Sequence, residues 1–328
     1  MKQIISGLLF TSLFALSAHA QDPSTGSGQA YPTKSIRVLV SFAPGGVVDT
    51  STRIVTTKIT EALGWHFVVD NRPGANGFLG AAAAAKANPD GYTLLSAHTG
   101  EFAVNPVMFK TMPYDETTFT PVIMLSDAPM LVVVNIQSPL NSIKELIAAA
   151  RAKPGAITFG SPGSGSVNHM ASEGLAAAAG VKMTHVPYKG GAPAVVAVAT
   201  NDVTFTVAGM PGVSPHLQGK RVKVLGVTTA KRSPMVPDYP TAQEMGVPGV
   251  DASIWVGFFV PKGTSAPIIN KLYNASADVL KRPEVKERLA VVGGAEAVAT
   301  AGAAFNTRIA SDIERYKKVA QQVGIKPE

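Results

Sequence analysis

The chain has 328 residues, 46% hydrophobic and 16% charged, with a formal net charge of +7 and no cysteine. This balance excludes a disordered chain, and the missing cysteine excludes disulfides, thiolate metal sites and a lipid anchor on an N-terminal cysteine. The lysines and arginines are neither clustered nor interleaved with aromatics, so small anions rather than nucleic acid are the expected partners.

Residues 1–20 read as a secretory leader. Lys2 gives the positive start, "IISGLLFTSLFAL" the apolar run and "AHA" at 18–20 the small-residue cleavage site. Cleavage near Ala20 leaves a mature chain starting at Gln21 with a charge near +6, since Lys2 is the only charge removed (7 − 1). No other segment is long and apolar enough to span a bilayer. "QDPSTGSGQA" (21–30) has no apolar period and reads as a flexible linker.

From Tyr31 the chain alternates strand and helix. "SIRVLVSF" is a strand. "VDTSTRIVTTKITEALG" (48–64) is an amphipathic helix with Ile54, Ile59, Ala62 and Leu63 on one face and Gly64 as its stop. "WHFVVDN" and "YTLLSA" are strands on either side of the small-residue helix "GFLGAAAAAKAN". This βαβαβ order predicts an α/β protein with a parallel, doubly wound sheet. "PVIMLSDAPMLVVVN" (121–135) is long and β-rich and is expected to cross between two lobes. Ser142 and Glu145 form a capping box for the helix that follows. Strand, glycine turn and helix recur over 157–180 and 183–200. "VTFTVAG", "KVLGVTT" and "SIWVGFFVP" are further strands, the last a return strand. The final stretch of the chain reads as mostly helical.

Strand–glycine–helix turns therefore fall at 42–49, 160–168 and 187–193. Such turns lie at the carboxyl ends of strands, where open α/β sheets hold ligands. Free N–H groups and the helix dipole favour an anion there. In the first, Phe42, Ala43 and Pro44 lead to Gly45, Gly46 and Val47, where absent Cβ atoms let a carboxylate approach the main chain. Asp49 would repel such a ligand, so it is expected to cap the helix. Phe42 is either core or an apolar wall. In the second turn Ser161, Ser164 and Ser166 offer hydroxyls, and Gly163 and Gly165 expose N–H groups. Ser166 also fits the role of N-cap, and His169 either faces the cleft or packs behind it. In the third turn Tyr188 is a phenol donor or a packing residue, and Lys189 is expected to be a solvated turn residue. His98 and Thr99 end the strand "YTLLSA". No P-loop, H-E-x-x-H, S-x-x-K or G-x-S-x-G occurs, and the histidines lack metal-ligand spacing. An enzyme, a metal site and a cofactor are not expected.

"YPTKSIRVLVSFAPGGVVD", "VVDNRPGANGFLGA", "NPDGYTLL", "ITFGSPGSGSVNHMASE", "THVPYKGGAPA" and "WVGFFVPKGTSAP" occur in order from Tyr31 onward. Together they resemble the Bug-type solute-binding proteins of tripartite tricarboxylate transporters. The resemblance implies a two-lobed periplasmic-binding-protein fold, each lobe a mainly parallel sheet flanked by helices. Lobe 1 would be 31–126 plus 254–328 and lobe 2 would be 127–253. Hinges are expected near 122–130 and 250–258. It further implies a monomeric periplasmic receptor that closes on a small carboxylate and delivers it to membrane permease subunits. A sensor that presents ligand to a membrane kinase remains the alternative, with a hydrolase less favoured. The resemblance also places the Asn76–Gly77 backbone near the cleft. His98 stands where a small hydroxyl residue is expected, which makes it the candidate for ligand selection. Ala208 stands where family members often carry an acid, which points to a ligand with an apolar middle.

Overall fold

The computed structural model describes residues 31–115 and 117–327; the leader and linker expected over 1–30 lie outside them. In the amino-terminal part, strands β1 (Ile36–Val40), β2 (Phe67–Asn71) and β3 (Thr93–His98) alternate with helices α1 (Val47–Leu63) and α2 (Phe78–Ala85). A π-helical turn over Gly100–Val104 and helix α3 (Asn105–Met108) follow. Strand β4 (Phe119–Asn135) then runs for 17 residues. Helix α4 (Ile143–Ala152) leads into β5 (Thr158–Ser161), α5 (Val167–Ala179), β6 (Thr184–Pro187) and α6 (Gly191–Ala199). After these come β7 (Phe205–Gly209), α7 (Met210–Gln218) and β8 (Val222–Val227). Strand β9 (Ser253–Pro261) returns to the first half, and α8 (Ala266–Leu280), α9 (Pro283–Arg288), β10 (Glu296–Thr300) and α10 (Gly302–Val323) complete the chain.

Local sequence explains several ends. Gly64 closes α1 with φ 68°, a left-handed conformation that glycine takes without Cβ strain, and its N–H donates to the Thr60 carbonyl. Ser142 accepts from the Glu145 N–H, while the Glu145 carboxylate reaches one residue further back, to the Asn141 N–H. The expected box therefore forms with its second bond displaced by one residue.

The strand order is β2–β1–β3–β9–β4–β7–β5–β6, with β10 and β8 also paired to β4. The outer strands are parallel: β2–β1–β3 on one side and β7–β5–β6 on the other. The connecting pairs through β9 and β4 are antiparallel. Residues Phe119–Pro129 of β4 face β9, and Met130–Val134 face β7. One strand thus serves both lobes of an α/β periplasmic-binding-protein fold. The carboxyl-terminal stretch is mostly helical, as read, and also contains β10, whose Glu296 and Ala297 pair with Asp127 and Ser126.

Helix α10 spans both halves. Phe305 packs in a cluster with Trp255, Phe259 and Leu39, whereas Tyr316 and Ala320 pack with Met170 and Leu175 of α5. Between these contacts Arg308 donates to Asp127 Oδ2 (2.9 Å), Asp312 Oδ2 (3.0 Å) and Ser253 Oγ (2.7 Å). Arg315 and the Trp255 indole N–H also donate to Asp312. These bonds tie α10 to β4 and β9 where the chain crosses between lobes.

Candidate functional site

A cavity of about 1030 Å³ opens at the carboxyl ends of the parallel strands. Among the helices that begin on its wall are α1 at Gly46–Val48, α5 at Ser166–Asn168, α6 at Gly190–Ala192 and α7 at Gly209–Gly212. Three of them, α1, α6 and α7, have glycine at the N-cap and no side-chain cap. Among the described residues, the N–H groups of Val47, Val48, Gly191, Ala192, Met210 and Gly212 have no protein acceptor. Each helix start carries a partial positive charge, and here those of α1, α5, α6 and α7 converge. Among the described residues no aspartate or glutamate lines the cavity, and Lys189, His98 and His216 are its only basic residues. The surface can therefore hold an anion through neutral donors.

The first turn differs from expectation in one donor. The Gly45 N–H donates to Asp49 Oδ2 at 2.9 Å and is already used. Asp49 also accepts from Arg53 Nε and Asn71 Nδ2, so its buried carboxylate braces the turn and is balanced by Arg53. The free donors start one residue later. Phe42, Ala43, Pro44 and Gly46 all line the cavity with Gly45 and Val47, and the Phe42 ring lies 4.2 Å from that of His98.

In the second turn, Ser164, Gly165 and Ser166 line the cavity. The Ser166 hydroxyl donates to the Gly163 carbonyl and accepts from the His169 N–H, so it serves as helix cap. Ser164 keeps its hydroxyl free, while its carbonyl accepts from Asn76 Nδ2 at 3.0 Å. That bond spans the cleft. A Cβ on Gly165 would stand 3.3 Å from both Asn76 and Phe109, so the two rims touch closely here.

Five expected site residues are placed elsewhere. Ser161 is fully buried, its hydroxyl held by Gly163 and by His185 Nε2 at 2.6 Å. Gly163 directs its carbonyl to those two serines and does not line the cavity. His169 is buried behind the turn: its Nδ1 accepts from the Gly165 N–H, and its ring stacks 4.0 Å from His185. Burial, and then the neighbouring His169, lowers the His185 pKa to about 4, so the His185 ring acts as a neutral spacer near neutral pH. Tyr188 packs beside Val195 and Ala208, and burial raises the pKa of its phenol. Thr99 is buried between β3 and β9, donating to the Ser253 carbonyl and accepting from the Trp255 N–H.

Asn76, Gly77, His98 and Ala208 do reach the wall. So does Lys189, read from sequence as a solvated turn residue. Missed altogether was the start of α7. Its signal was the strand "FTVAG" running into Met210–Pro211, because proline is favoured in a helix's first turn. The apolar residues Phe78, Met108 and Phe109 were also missed, since nothing in their local sequence distinguishes cavity wall from core.

Two α/β lobes sharing crossing strands, with helix N-termini facing a cavity between them, define a solute-binding receptor. The family model described as "Tripartite tricarboxylate transporter family receptor" (TctC) matches residues 51–325. The chain belongs to this family. It is 36% identical over 88% of its length to a protein of Pseudomonas sp. (strain P51), "UPF0065 protein in tcbD-tcbE intergenic region", covering 86% of that protein. It is 34% identical to Protein BugT of Bordetella pertussis, over 92% of each. The solved structure "R. palustris Rpa4515 with adipate" superposes with a TM-score of 0.85 at 34% identity, covering 91% of this chain and all of that one.

Proposed function

We propose that this chain is a monomeric periplasmic receptor that closes on a small carboxylate and passes it to the permease subunits of a tripartite tricarboxylate-type transporter. The observation that carries the reading is the convergence of the α1, α5, α6 and α7 N-termini on a cavity that has no acidic wall among the described residues. Lobe 1 (31–126 plus 254–328) and lobe 2 (127–253) turn about β4 and the chain entering β9. One carboxylate is taken by the N–H groups of Gly46–Val48 on lobe 1 and by Ser164 with the α5, α6 and α7 starts on lobe 2. Phe42, Phe78, Phe109 and Ala208 favour an apolar middle in the ligand. The adipate carried by the R. palustris relative has such a middle, a run of methylenes.

Four to six neutral donors at roughly 1.5–3 kcal/mol each, less the ordering cost, give about −7 to −10 kcal/mol, a micromolar to sub-micromolar site. Backbone dipoles also avoid the desolvation cost of a buried arginine. A thermal-shift and calorimetric panel of aliphatic and aromatic mono- and dicarboxylates, with amino and hydroxy acids as controls, tests the reading. Saturable one-to-one binding of unmodified carboxylates, weakened by Ser164→Ala, is expected. Preference for amino or hydroxy acids, or conversion of the ligand, would overturn it.

A further inference from the structure

The turn from Ser161 to Ser166, which joins β5 to α5, contains one peptide unit that is gripped at both ends. The Ser164 carbonyl and the Gly165 N–H belong to the same plane and point in opposite directions. On one side the carbonyl accepts from Asn76 Nδ2 of the facing rim at 3.0 Å. On the other side the N–H donates to His169 Nδ1 at 3.2 Å. The bond across the cleft and the bond behind the wall therefore depend on one orientation of one peptide.

The backbone alone does not dictate that orientation. Gly165 has φ 72°, in the left-handed region, and Gly163 has φ 140°. Glycine occupies either sign of φ at little cost, so the Ser164–Gly165 peptide can turn over without Cβ strain. Turned over, it would aim its carbonyl at His169 Nδ1 and its N–H at Asn76 Nδ2. Acceptor would then face acceptor, and donor would face donor.

Both partners are themselves held in place. His169 is 6% exposed, its ring stacks 4.0 Å from that of His185, and its main-chain N–H donates to Ser166 Oγ at 3.2 Å. An imidazole nitrogen that accepts carries no proton, so the neutral ring bears its proton on Nε2. Glu173 Oε1 lies 3.7 Å from that nitrogen. On the other rim, the Asn76 carbonyl accepts from Asn105 Nδ2 at 2.9 Å.

We propose that His169 is a positioning residue that fixes the Ser164–Gly165 peptide and so controls the cross-lobe bond to Asn76. Resting on the receptor reading above, this makes His169, which does not line the cavity, a determinant of how firmly the closed lobes hold a ligand.

Calorimetry with adipate, the molecule in the R. palustris structure, and small-angle scattering of the unliganded protein test the assignment. His169→Leu should weaken adipate binding by roughly 3- to 10-fold and expand the unliganded protein. In an Asn76→Ala background the same change should weaken binding by less than about 2-fold, since the peptide then has no cross-lobe partner to lose. His169→Asn, whose side-chain oxygen falls near the place of Nδ1, should recover most of the affinity. His169→Gln, whose oxygen falls near the place of Nε2, should not, and it replaces the leucine variant if that does not fold. Long-range proton–nitrogen NMR on the unliganded wild-type protein should show the His169 proton on Nε2. The Gly165 amide should exchange about ten-fold or more faster in His169→Leu than in the wild type. Wild-type affinity in His169→Leu, equal losses in the two backgrounds, a protonated Nδ1 or an unchanged Gly165 exchange rate would each overturn the proposal and leave the receptor reading standing. If neither adipate nor the rest of the carboxylate panel binds, the receptor reading falls, and the scattering, tautomer and exchange measurements still decide what His169 does.

Discussion

Replacing Arg308 with methionine removes one guanidinium that serves three partners at the lobe crossing. Asp127 on β4 is the partner most affected. Its Oδ2 accepts from Arg308 Nη1 at 2.9 Å, and its buried Oδ1 has no hydrogen-bond partner among the described residues. Burial pushes the Asp127 carboxyl pKa upward, and Arg308 works against that shift. Asp312 is better supplied, since Arg315 and the Trp255 indole remain. Stripping one member from a fully buried pair costs about 3–5 kcal/mol. The Arg308 and Asp127 side chains are 27% and 23% exposed, so solvent screening brings the expectation to roughly 2–3 kcal/mol. Urea denaturation at neutral pH, followed by far-UV circular dichroism, measures it. Arg308→Met should lower the midpoint without changing the slope, and adding Asp127→Asn should recover about half the loss, because no carboxylate is then stranded. A loss below about 0.5 kcal/mol at unchanged slope would refute the claim that Arg308 neutralises the crossing.

Three further outcomes follow from the geometry. Asn76→Ala deletes the bond to the Ser164 carbonyl across the cleft; ligand affinity should fall by roughly 2- to 10-fold and the unliganded protein should expand in small-angle scattering. Gly257→Ala puts a Cβ 2.7 Å from Phe305 Cζ and 3.1 Å from the Ile123 carbonyl, and should cost roughly 1–3 kcal/mol in thermal or chemical unfolding. His185 gives a pH dependence. Its folded pKa of about 4 lies below the ordinary imidazole value of 6.5, so between these values the unfolded chain binds a proton that the folded chain does not. Its stabilisation is complete above that window and is lost as pH falls through it. For a half-buried ring this amounts to roughly 1–2 kcal/mol, and His185→Gln should flatten that segment of the stability curve.

Strands and helices with strong local signals were legible in the sequence. β9 occupies the span read for it, because "SIWVGFFVP" is continuously apolar between polar turns, and α10 matches its periodic stretch to within a residue at each end. β10 was not legible. "EAVAT" is too short to show a period, and its pairing with β4 bridges a long sequence separation. At the site, the glycine turns were readable but the direction of each side chain was not. Ser161 and Ser164 are three residues apart in one turn, yet one hydroxyl is sealed against His185 while the other stays free beside the cavity. The Gly45 N–H looked free because its acceptor, Asp49, becomes visible only once the helix start is built.

The convergence of helix starts has an evolutionary corollary. Main-chain N–H groups are encoded by no particular codon, so few single substitutions delete the anion-holding surface; proline or a gross change of turn would be required. The side chains around it can drift freely. Under the proposed function, paralogues arising by gene duplication can change what they accept by altering cavity side chains such as those at 98 and 208, while the anchoring main chain is inherited intact.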